Sequence, residues 1–161
     1  MPLARTRRRF GPVLLLAVTA AAVPSAAPAA QEVLAGPVVA QVVRVIDGDS
    51  LQVRAHIWPG QHVETVVRLA GVDAPELRGR CPAERDLARA ARDFLAARIA
   101  ATGNTVVLTG IRHDKYGGRV LATVLAGDGG DLAAALDGHG LARLYDGGRR
   151  DPWCPPAQAA E

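Results

Sequence analysis

The segment Arg68-Leu69-Ala70-Gly71-Val72-Asp73-Ala74-Pro75-Glu76 places one guanidinium and two carboxylates within a single strand-to-loop passage. A guanidinium grips phosphate with a planar fork of donors, and carboxylates hold a hard cation or take a proton from water. Those are the tasks of metal-assisted phosphodiester hydrolysis. A second group, Asp114-Lys115-Tyr116-Gly117-Gly118-Arg119, offers another arginine next to paired glycines, and Asp47-Gly48-Asp49 offers two more carboxylates. Each has an ordinary structural explanation as well: paired glycines suit a hairpin tip, and aspartates shape turns or cap helices. What raises the chemical reading is company. Asp49, Arg68, Asp73, Glu76 and Arg119 all fall at strand ends or in the loops beyond them, where rigid scaffolds present functional groups.

The elements that must position these residues follow from periodicity. Residues 42–46 read as a strand ending at Asp47-Gly48-Asp49, a strong hairpin signal. Leu51, Val53, Ala55 and Ile57 then alternate with Gln52, Arg54 and His56, the period-two pattern of a strand with one buried face. Trp58-Pro59-Gly60 makes the next turn, and Val63, Thr65, Val67 and Leu69 share a face that sends Arg68 away from the core. Over 83–100, Leu87, Ala91, Phe94, Leu95 and Ile99 recur at helical spacing, and Gly103-Asn104 ends the helix. Residues 105–112 and 119–125 read as a further strand pair. A short helix over 131–139 has Asp131 as its N-cap. Strands with a helix inserted between the third and the fourth predict an α+β, mainly β fold: a five-stranded OB-type Greek-key barrel with one main and one short helix.

Composition bounds the setting. A chain of 161 residues, 49% hydrophobic and 4% aromatic, allows one packed domain with a core of Val, Leu, Ile and Ala. Residues 1–30 stand apart as a secretory signal peptide: arginines at 5, 7, 8 and 9, an apolar run over 11–23, and Ala27-Pro28-Ala29 in the A-x-A pattern. The sequence Thr6-Arg7-Arg8-Arg9-Phe10 also fits a twin-arginine signal, so the export route stays open. Residues 31–39 read as a linker, 40–154 as the domain and 155–161 as a tail. No stable membrane anchor is expected, and the mature protein is expected in the periplasm or medium, as a monomer. Nineteen basic residues less the four in the signal leave fifteen against sixteen acidic, a net of −1. Attraction to phosphate must therefore be local. Cys81 and Cys154, the only cysteines, are expected to pair in an oxidising compartment, with two buried thiols as the alternative. His56, His62, His113 and His139 show no metal-ligand spacing.

From residue 42 to residue 153 the chain resembles the staphylococcal-nuclease (thermonuclease) family. The resemblance rests on Val45-Ile46-Asp47-Gly48-Asp49-Ser50, the Arg68 to Glu76 segment, Asp114-Lys115-Tyr116-Gly117-Gly118-Arg119 and Gly140-Leu141-Ala142, in that order. It implies a calcium-dependent nuclease that hydrolyses DNA and RNA, acting on single-stranded or unpaired substrate and leaving 3′-phosphate ends. Carried over by position, Asp49, Asp73 and the carbonyl of Ala74 would hold Ca2+, Ala74 standing where the type nuclease has threonine. Glu76 would orient or deprotonate the attacking water, while Arg68 and Arg119 would stabilise charge growing on the phosphate. Lys115 and Tyr116 resemble the pair that contacts a terminal phosphate, and Tyr145 is placed to stack on a base.

The chain departs from the family pattern at an extra glycine before Arg119, a short loop after Glu76 and a brief C-terminal tail. The first requires a bulge to aim Arg119. Two other readings remain at this stage: a non-catalytic OB-type nucleic-acid-binding module, and an exported structural protein. Retention of the whole carboxylate and arginine set favours the enzyme.

Overall fold

The computed structural model describes residues 32–155, so the signal peptide and most of the tail expected from the sequence lie outside the described residues. Eight strands and two helices follow in chain order: β1 (Val33–Leu34), β2 (Val38–Val45), β3 (Ser50–Trp58), β4 (Gln61–Leu69), β5 (Val72–Asp73), α1 (Pro82–Ala100), β6 (Thr105–His113), β7 (Arg119–Ala126), α2 (Leu132–Gly138) and β8 (Arg143–Leu144). The five long strands close on themselves. β2 pairs with β3 and β6, β3 with β4, β4 with β7 in parallel, and β7 with β6, which completes the ring. The fold is the expected five-stranded OB-type barrel.

Alternation inside the barrel is what fills it. Leu51, Val53 and Ala55 from β3, Val67 and Leu69 from β4, Val106 and Leu108 from β6, and Ala122 and Val124 from β7 are buried together. The helix α1 closes one opening with Ala88, Ala91, Leu95 and Ile99, spaced three, four and four residues apart, which keeps them on one stripe. Ala88 takes the place that the sequence reading gave to Leu87. The same stripe begins with a buried acid, Glu84, which the apolar pattern did not reveal. The N-cap of α2 is Asp131, whose carboxylate accepts from the backbone N–H groups of Ala133 and Ala134.

One expectation needs correction. The 31–39 segment is not a free linker: Val33 and Leu34 pair with Arg112 and Ile111, and β2 already begins at Val38. The edge of β6 there presents backbone groups that a short strand satisfies. Arg68 points away from the barrel core but not into water, because that side of β4 is roofed by β5 and the loop that follows. Its pairing at this end is with Leu121 of β7, two positions past the Val66–Arg119 pair. The parallel β4–β7 ladder thus brings both arginines to one end of the barrel.

Candidate active site

The turn between β2 and β3 carries the first carboxylates. It is a four-residue connection rather than a tight two-residue hairpin: Ile46 and Asp47 both donate backbone N–H to the carbonyl of Ser50, and the Asp47 carboxylate accepts from the Asp49 N–H at 3.1 Å. Gly48 is needed there for space. A Cβ at this position would lie 2.8 Å from the Cβ atoms of both Ala74 and Ala91, so only glycine lets the turn press against α1 and the Asp73–Ala74 segment.

That contact fixes Asp49. Its carboxylate accepts from the Ser50 hydroxyl at 2.9 Å and the Ala74 N–H at 3.2 Å, and lies 2.7 Å from Arg68. Arg68 also reaches Asp73 at 3.4 Å and donates to the Val72 carbonyl at 3.2 Å. With Asp49, Arg68 and Asp73 only 4%, 7% and 6% exposed, this is a buried charge triad. Burial pushes the Asp49 carboxyl up from its ordinary value; Arg68 opposes that, while neighbouring Asp47 adds to it.

A cavity of about 280 Å3 opens directly above, lined by Asp47, Asp49, Ser50, Arg68, Glu76, Tyr116, Arg119 and Arg150. Glu76 is set by the loop it begins. Buried Glu84 accepts backbone N–H groups from Arg80 at 2.9 Å and Glu76 at 3.5 Å, so the acid at the start of α1 holds both ends of that loop. Partial desolvation and then the charges of Asp49 and Asp47 raise the Glu76 carboxyl above the usual glutamate value, with Arg150 pulling the other way. The extra glycine before Arg119 is accommodated in the left-handed region: Gly118 has φ +82° and open space where a Cβ would be. Arg119 then enters the cavity, paired with Asp114 and with its guanidinium 4.7 Å from the Tyr116 ring centre. Lys115 and Tyr145 line an adjoining cavity of about 420 Å3, which shares Arg68, Arg119 and Arg150 with the first. The four histidines are exposed, as their spacing suggested.

Cys81 and Cys154 form a disulfide, with Cα atoms 6.0 Å apart. Chain-entropy arguments give a loop of this length about 4 kcal/mol of stabilisation. The bond fastens the C-terminal segment beside Glu84 and the loop after Glu76. The same segment carries a site residue that sequence reasoning missed: Arg150 lies 3.0 Å from Asp73 and 3.5 Å from Glu76. The only signal for it was a basic pair, Arg149-Arg150, four residues before a cysteine.

Two arginines on a parallel ladder, each paired with a carboxylate, line one small cavity with Asp49 and Glu76, and residues 66–155 match the family described as staphylococcal nuclease homologue. The chain belongs to that family. It is also 32% identical over 126 residues to an uncharacterized endonuclease of Escherichia coli, covering 78% of this chain and 73% of the relative, and equally similar to one of Escherichia coli O157:H7. As a member of the staphylococcal nuclease homologues, the chain is a nuclease with a nucleic-acid substrate.

The donor set suits a hard cation. Asp47, Asp49 and Glu76 line the cavity and Asp73 stands beside it, oxygen donors without a thiol or imidazole among them; the carboxyls of Asp49 and Glu76 are raised first by burial and then by neighbouring carboxylates. The other close grouping, Cys81, Glu84 and Cys154, has its two sulfurs in the disulfide.

Proposed function

We propose that the mature protein is an exported, calcium-dependent endonuclease that cuts single-stranded or unpaired DNA and RNA with little sequence preference. The observation that carries this reading is the single cavity shared by Asp49, Arg68, Glu76 and Arg119. Asp49, Asp73 and the Ala74 carbonyl would hold Ca2+, which when bound offsets the charge of the carboxylates and polarises a phosphate oxygen.

The remaining work falls to the chain. Glu76 takes the proton of a water whose oxygen attacks phosphorus, and its raised carboxyl suits a base that must release that proton again. Arg68 and Arg119 receive the charge that accumulates on the phosphate oxygens, each already held by a carboxylate partner and so needing little reorganisation. As the new bond forms, the bond from phosphorus to the 5′ oxygen breaks, that oxygen takes a proton from solvent water to become a hydroxyl, and a 3′-phosphate end is left, an outcome that rests on the family resemblance. No 2′-hydroxyl takes part, which is why both DNA and RNA are expected substrates. A recessed cavity with a buried floor favours a strand that can bend into it over a stiff duplex. The protein is proposed to act as a monomer.

Export is supported by the composition of residues 1–30 and by the disulfide. The test is incubation of the mature domain with single-stranded DNA and RNA, in calcium and in chelator. Calcium-dependent cutting with 3′-phosphate products is expected; binding without cutting in either condition would replace the enzyme with a binding module.

A further inference from the structure

Arg150 lines three neighbouring cavities at this end of the barrel: the one that holds Glu76 and Arg119, the one that holds Lys115 and Tyr145, and another of about 490 Å3 lined in part by Arg80, Arg149 and Trp153. A strand leaving the first cavity in either direction passes it. Its guanidinium is half-exposed and makes single contacts to Asp73 and Glu76, so donors of the fork remain free to turn outward.

The segment that carries it has no regular structure between β8 and the disulfide, yet it is fastened at several points. Arg143 donates to the Pro152 carbonyl at 3.3 Å and lies 3.7 Å from the Trp153 ring centre. The Tyr145 hydroxyl donates to the Gly148 carbonyl at 2.8 Å, and its ring lies 5.5 Å from the Arg150 guanidinium. Beyond Arg150 the covalent tie is Cys154 to Cys81, at the N-cap of α1. With Gly147 and Gly148 on its other side, Arg150 would lose its fixed position without that tie.

We propose that Arg150 is a third substrate-binding guanidinium, which engages a phosphodiester of the bound strand, and that the Cys81–Cys154 bond is what presents it. The proposal rests on the nucleic-acid reading of this site. A purely structural Arg150 would only neutralise Asp73 and Glu76.

The experiment measures binding of the mature protein to a fluorescein-labelled single-stranded oligonucleotide in chelator, across a salt series, so it reports whether or not the protein cuts. Arg150→Ala is expected to weaken binding about tenfold or more and to reduce the slope of log affinity against log salt by about 0.7, one phosphate contact on a single strand. Arg150→Lys is expected to restore most of the slope, and Arg54→Ala, on β3 and paired with Glu64, to change neither quantity. The Cys81→Ser/Cys154→Ser protein is expected to show the same loss as Arg150→Ala, with nothing further lost when the two are combined. Wild-type affinity and slope in Arg150→Ala would overturn the phosphate contact, and fully additive losses would overturn the tether. Should the serine pair fail to fold, Arg150→Ala and Arg150→Lys still decide the contact. Cutting in calcium by the wild type is scored separately: its absence with these shifts intact refutes the nuclease mechanism and leaves Arg150 in place.

Discussion

Arg68 and Arg119 reach the same cavity from neighbouring strands, but they are held there by different means. Arg68 sits inside β4, covered on both sides, with Asp49 and Asp73 as buried partners and the Val72 carbonyl as a third. Arg119 begins β7 after a loop of exposed residues, and its fixed points are Asp114 and the face of Tyr116. The first arginine is part of the packed structure, whereas the second is delivered to it by a turn. The proposed catalytic role therefore coincides with a structural one at Arg68 more than at Arg119.

The sharpest way to break this contrast is to remove the proposed base, Glu76. Glu76→Gln is expected to lower turnover by about 100- to 10,000-fold with little change in substrate affinity, measured by single-turnover cleavage beside binding. An unchanged rate would remove Glu76 from the chemistry. Next come the arginines themselves: alanine at either should cost on the order of 100- to 1,000-fold in turnover. Arg68→Ala should also cost about 3–5 kcal/mol of stability, because it leaves two buried carboxylates unpaired, whereas Arg119→Ala should cost less, because it strands only Asp114, whose carboxylate still accepts from the Lys115 N–H. Equal losses of stability in urea unfolding would erase the distinction.

A smaller effect is expected from calcium. At a concentration one hundred times its dissociation constant it should stabilise the folded protein by about 2.7 kcal/mol, read as a raised melting temperature, and Asp49→Asn should remove most of that gain.

The last prediction concerns pH without metal. Glu76 binds its proton more tightly in the folded chain than in the unfolded one. Its contribution to stability is fully present below the unfolded value of 4.5 and is lost as pH rises through the raised folded value. Asp49 acts in the same direction from its own unfolded value of 3.8. Denaturant titrations in chelator should thus show a stability component that declines from mildly acidic towards neutral pH, and Glu76→Gln should diminish it. A component of the same size in Glu76→Gln would show that other groups carry it.

Much of the rigid wall was legible in the sequence. Asp49, Arg68, Asp73 and Glu76 lie at strand ends or in adjoining loops, and period-two alternation locates those ends from local order alone. The tail was not legible in this way. Residues 146–153 show no hydrophobic period, and nothing local says that Arg150 turns back onto Asp73 from 77 positions away. Glu84 was hidden for another reason: an acid on an apolar helical stripe reads as surface until its backbone N–H partners at Glu76 and Arg80 are seen.

By itself the sequence determined the barrel, its helices, the family and the identity of most candidate groups, because these follow from alternation, spacing and short motifs. Tertiary structure alone decided that Arg68 is buried, that Gly48 must be small enough to meet Ala74 and Ala91, and that Arg150 meets Asp73 on a segment closed by a disulfide. Those outcomes depend on surfaces that approach one another only when distant segments close around the same space, and a pattern within a single segment carries no record of that approach.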